Sequence, residues 1–85
     1  MKRDPDFFGE QELDLLYIAK KLKESLAVEE ALTAAEVDYA VEVDQYLGGF
    51  IFKRERAGAF FYVLPEALAQ ARQVLISAGY QPQQL

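Results

Sequence analysis

The residue types that carry most hydrolytic and metal chemistry are missing from this 85-residue chain, which contains neither His nor Cys. Ser-His-Asp and Cys-His nucleophiles are therefore impossible, as are zinc sites built on imidazole or thiolate. Asn is absent too, and Ser25, Thr33 and Ser77 are the only hydroxyls besides the tyrosines. Each of those three falls on an expected helix or its cap. A general acid or base would have to be a carboxylate, a lysine or a tyrosine. Glu42 and Asp44 lie two apart on an expected strand, hence on one face, the minimum for paired-carboxylate chemistry or a hard cation. No other residue converges on them. The expectation is a solvated face, paired across a hairpin with Lys53, Arg54 or Arg56. Gly48-Gly49 fits neither the dinucleotide fingerprint nor the P-loop pattern and reads as a hairpin turn. No catalytic residue, metal ligand or cofactor is assigned, and the expectation is a protein that is not an enzyme.

The sharpest local feature is Lys53-Arg54-Glu55-Arg56, flanked by Phe50, Phe52, Phe60, Phe61 and Tyr62. Sheets that display aromatics beside basic groups are used to stack RNA bases. Phe50, Phe52, Lys53, Arg54, Arg56 and Tyr62 are accordingly the candidate interaction surface. Arg56 to Phe61 shares the composition of the RNP1 motif but not the register of its Gly and aromatic positions. A formal net charge of −5 repels nucleic acid and anionic lipid unless a local basic patch overrides it. The economical reading makes the Phe residues core and the basic run an exposed hairpin tip. A nucleic-acid-binding module using this hairpin is the alternative.

The elements that position these residues follow from periodicity. Residues 1–12 mix Pro5, Gly9 and charges around Phe7-Phe8 and read as an arm whose two Phe dock on the core. Leu13 to Ala19 is an apolar run that fits a buried strand or a helix start equally well. A single helix to about Glu36 would give an α-β-β-β-α order, as in double-stranded-RNA-binding domains. That fold carries lysines at the start of its last helix, where this chain has Pro65-Glu66-Ala67. Strand followed by helix is preferred, with the helix starting at Ser25 as N-cap and burying Val28, Ala31, Leu32 and Ala35. From Val37 to Tyr46 the period is two. Phe50 to Lys53 reads as a return strand, Glu55 to Gly58 as a second turn, and Ala59 to Leu64 as a third strand. Pro65 opens a helix with a Leu68, Ala71, Leu75, Ala78 stripe. Gly79 is its C′ residue, with Tyr80 reaching back to Leu75. Residues 81–85 form a polar tail, leaving one domain over 13–80.

Three segments together resemble the small prokaryotic signal-transducing proteins, a family without an established biochemical activity. They are Leu16 to Ala19, Ser25 to Tyr39, and Val63 to Ala71. The resemblance implies a PII-like βαββα arrangement and a ferredoxin-like half-sheet, and it transfers no functional residue. Glu36 departs from the pattern, standing where a helix-ending Gly is expected.

With 52% hydrophobic residues the chain is too apolar to stay disordered. So small a domain buries little surface, and self-association would add stability. The expectation is a two-layer α+β domain with an antiparallel-rich sheet and two helices on one face, dimerising through that sheet. Its further partner is an unspecified protein or small-molecule effector. The sequence from Met1 has no secretory h-region and no apolar stretch of the ~20 residues a membrane helix needs. A cytoplasmic location is expected.

Overall fold

The computed structural model describes residues 1–47 and 55–81. The ambiguous apolar run is extended, forming β1 (Asp14–Ala19). It is followed by α1 (Leu22–Ala34), β2 (Ala40–Leu47) and β3 (Glu55–Val63). A 3-10 turn, Pro65–Ala67, leads into α2 (Leu68–Ser77). The described strands form one antiparallel sheet in the order β1-β3-β2. Because β1 and β2 each run antiparallel to β3, they are parallel to one another, with β3 between them. The molecule is α+β.

The sheet has a helix side and an open side. Ala59, Phe61 and Val63 of β3 share one buried cluster with Val28 and Leu32 of α1 and Ala71 and Leu75 of α2. Alternate residues of a strand face opposite ways, so Phe60 and Tyr62 lie on the open side. The ladders place Leu15 and Ala40 beside Tyr62, and Ile18 and Glu42 beside Phe60. A β-bulge between Leu15 and Tyr17 lets Leu16 drop into the helix-side core, where it is fully buried. The extra residue re-phases the strand. Buried Leu16 and Ala19 are therefore three apart, and Tyr17 turns to the helix side, where its ring meets Tyr80 edge-on at 5.8 Å.

Both helices end in Schellman caps. At α2 the Tyr80 amide donates to the Leu75 carbonyl at 2.8 Å and Gly79 has φ 91°, as expected. At α1 the Val37 amide donates to Leu32 at 3.0 Å and Glu36 to Thr33 at 3.0 Å, while Glu36 takes φ 59°. A glutamate thus occupies the left-handed position that glycine usually fills.

Two expectations are corrected. Ser25 is not the N-cap: α1 starts at Leu22 with Lys21 as cap, and the Ser25 amide already donates to the Lys21 carbonyl at 2.9 Å. Leu22, Lys23 and Glu24 are all good helix formers, and they extend the helix backward past the cap-type residue. Glu55 to Gly58 is not a turn but the first half of β3, laddered with Asp44 to Leu47. The expected meander is thus a longer hairpin. In that ladder Glu42 and Asp44 lie opposite Phe60 and Gly58, and Arg56 lies opposite Tyr46; Lys53 and Arg54, their other expected partners, lie outside the described residues. The Gly48-Gly49 turn and the Phe50 to Lys53 return strand lie outside the described residues.

Candidate functional site

The N-terminal arm decides how much of the open side is available. Its first residues run beside the start of β2: Tyr39 donates to the Met1 carbonyl at 3.0 Å and accepts from the Arg3 amide at 2.7 Å. Arg3 then pairs its Nε with Asp38 at 2.9 Å and lies 4.5 Å over the Phe7 ring. β1 begins at the opposite edge of the sheet, so residues 4–13 must cross from one edge to the other. Asp4 caps a 3-10 turn over Pro5–Phe8. Phe8 is 4% exposed yet stands outside the helix-side cluster, as does Ala40 of the open side at 3%. Phe7 is 54% exposed. Of the two Phe expected to dock, one does.

What remains of the open side is apolar around Phe60 and Tyr62, with Glu42 beside Phe60. Leu13, Leu15, Ile18, Phe60 and Tyr62 are half-buried. A hollow of about 240 Å³ opens among Leu13, Ala40, Val41, Glu42 and Tyr62. Among the described residues Glu42 is its only carboxylate. Of the expected interaction surface, Tyr62 belongs to this face and Arg56 has a place in β3. Phe50, Phe52, Lys53 and Arg54 lie outside the described residues.

Among the described residues, the titratable groups with shifted behaviour are the Met1 amino group, which burial lowers, and two tyrosines on the helix side of the sheet. Burial pushes Tyr17 up to about 12, and the Glu24 carboxylate that accepts its hydroxyl adds to the effect. Burial also raises Tyr39, whose hydroxyl donates toward Glu29 Oε1 at 3.3 Å and lies 3.5 Å from Thr33 Oγ1. Lys2 reaches the same Glu29 oxygen at 3.8 Å. This set ties the arm, α1 and the entry to β2 together. A phenol held neutral under a carboxylate is a structural hydrogen bond.

Sequence reasoning missed the arm's backbone pairing with Tyr39, which no local pattern encodes. It also missed the hollow, which exists only because the ladder brings Ala40 beside Tyr62. Comparison of the chain with protein-family models, with curated proteins and with solved structures finds no match. Among the described residues, no helix is long and apolar enough to cross a membrane.

Proposed function

We propose that this chain is a non-enzymatic interaction module of bacterial signalling type, acting in the cytoplasm, that forms a homodimer through the open side of its sheet. The observation that carries the proposal is the in-register apolar rows Leu15-Tyr62-Ala40 and Ile18-Phe60, on the face turned away from both helices. Contiguous apolar patches beyond a few hundred Å² are rare on soluble monomers and mark contact surfaces. An isologous dimer closes such a patch with one self-complementary surface and adds stability to a small core. The β-α-β-β-α order supports the PII-like, ferredoxin-like half-sheet that the family resemblance implies, in which effector response and self-association would be joined.

Sedimentation equilibrium at micromolar concentration tests this. The expected mass is twice 9.6 kDa, falling to the monomer value on Ile18→Asp with the circular dichroism spectrum retained. A wild-type mass near 9.6 kDa across the range would overturn the proposal and leave the arm as the sole cover of the sheet.

A further inference from the structure

We propose that the exposed ring of Phe7 anchors the dimer contact, entering the hollow beside Tyr62 in a second copy of this chain. The inference rests on the open-side dimer proposed above and names the residue and the receptor that make its contact.

The local structure makes Phe7 project. In the 3-10 turn Pro5–Phe8, the Asp4 side chain accepts from the Asp6 amide and the Phe7 amide donates to the Asp4 carbonyl at 2.8 Å. Successive residues of such a turn point about 120° apart. With Phe8 turned inward and 4% exposed, Phe7 is left outside at 54%. Its ring is nevertheless held from two sides. The Phe8 ring meets it edge-on at 5.2 Å, and the Arg3 guanidinium lies 4.5 Å over it. A ring already fixed in place loses little freedom on docking, which is what an interface anchor requires.

The hollow is a receptor of the right size and charge for that ring. Leu13, Ala40, Val41, Glu42 and Tyr62 line it, and Phe7 of the same chain does not. Its volume of about 240 Å³ exceeds the roughly 150 Å³ in which an apolar cavity takes up benzene. Charge then selects the occupant. The ring that carries Arg3 on its face enters a hollow whose carboxylate is the exposed Glu42. The ion pair of Arg3 with Asp38 in its own chain uses Nε, and the guanidinium has further N–H donors to offer Glu42. A basic aromatic knob and an acidic apolar hollow thus occur in one chain, which makes a second copy the matching partner. A two-fold axis that seats Phe7 of one protomer in the hollow of its partner repeats the contact in reverse, so the pair closes on itself.

Sedimentation equilibrium of the full chain at micromolar concentration reads the contact. Phe7→Ala should raise the dimer dissociation constant at least about tenfold with the circular dichroism spectrum retained. Glu42→Arg should raise it several-fold, because it sets two cations against each other. The chain contains no Cys, so cross-linking gives an independent readout. A mixture of Phe7→Cys and Glu42→Cys chains should oxidise mainly to the mixed disulfide dimer, faster than either variant alone. A dimer of wild-type strength in Phe7→Ala, or a mixture that cross-links no faster than the single variants, would overturn the anchor and leave the open-side dimer standing. Loss of the dimer in Phe7→Ala with the dimer retained in Ile18→Asp would keep the anchor and overturn the open-side reading. A wild-type monomer across the range would overturn both.

Discussion

Glu36 is the position where a single substitution should improve this protein. Its φ of 59° puts a side chain with a Cβ into the left-handed region, at a cost of roughly 1–2 kcal/mol for an L-residue. Glycine pays no such cost, but it loses more backbone freedom on folding, worth roughly 0.5–1 kcal/mol. The difference predicts that Glu36→Gly stabilises the fold by about 0.5–1 kcal/mol. The Schellman hydrogen bonds from Glu36 and Val37 are backbone bonds and survive the change. Removing a negative charge beside the carboxyl end of α1 acts in the same direction through the helix dipole. For a domain of this size the shift corresponds to a melting temperature higher by roughly 2–8 °C. The assay is urea unfolding followed by circular dichroism, with Glu36→Gln as the control that removes charge and keeps the Cβ. An increase in Glu36→Gly well above that in Glu36→Gln is expected. Equal stability of Glu36→Gly and wild type, or a loss, would refute the assignment of strain to this residue.

The arm should be anchored by its buried ring and not by its ion pair. Phe8→Ala is expected to cost about 3 kcal/mol as a large-to-small change at a 4% exposed site, whereas Arg3→Ala, whose partner Asp38 is also partly exposed, should cost under about 1 kcal/mol; urea midpoints decide the order. Tyr17 holds its proton in the fold up to about 12, above the ordinary 10.0, so its contribution to stability is complete below pH 10 and is lost as pH rises toward 12. In a spectrophotometric titration of the five tyrosines, Tyr17→Phe should remove one late-ionising phenol and flatten the fall in stability over that window; an unchanged late phase would contradict it.

Much of the fold was legible, and the places where it was not have separate physical causes. The β2 alternation, the Pro65 helix start and the Gly79 cap are local signals, each satisfied by residues within one turn or one ladder step of themselves. The run at β1 was ambiguous for a reason the structure supplies. Its buried residues, Leu16 and Ala19, are three apart because of the bulge, and a spacing of three mimics a helix. Ser25 misled because a cap-type residue is also small, and here it is buried in the first turn of α1. Gly58 misled in a similar way: glycine in a charged stretch signals a turn, but opposite Asp44 it continues the ladder. The strain at Glu36 has no local signature in the sequence; only the family resemblance, which expects a helix-ending Gly at that position, pointed to it.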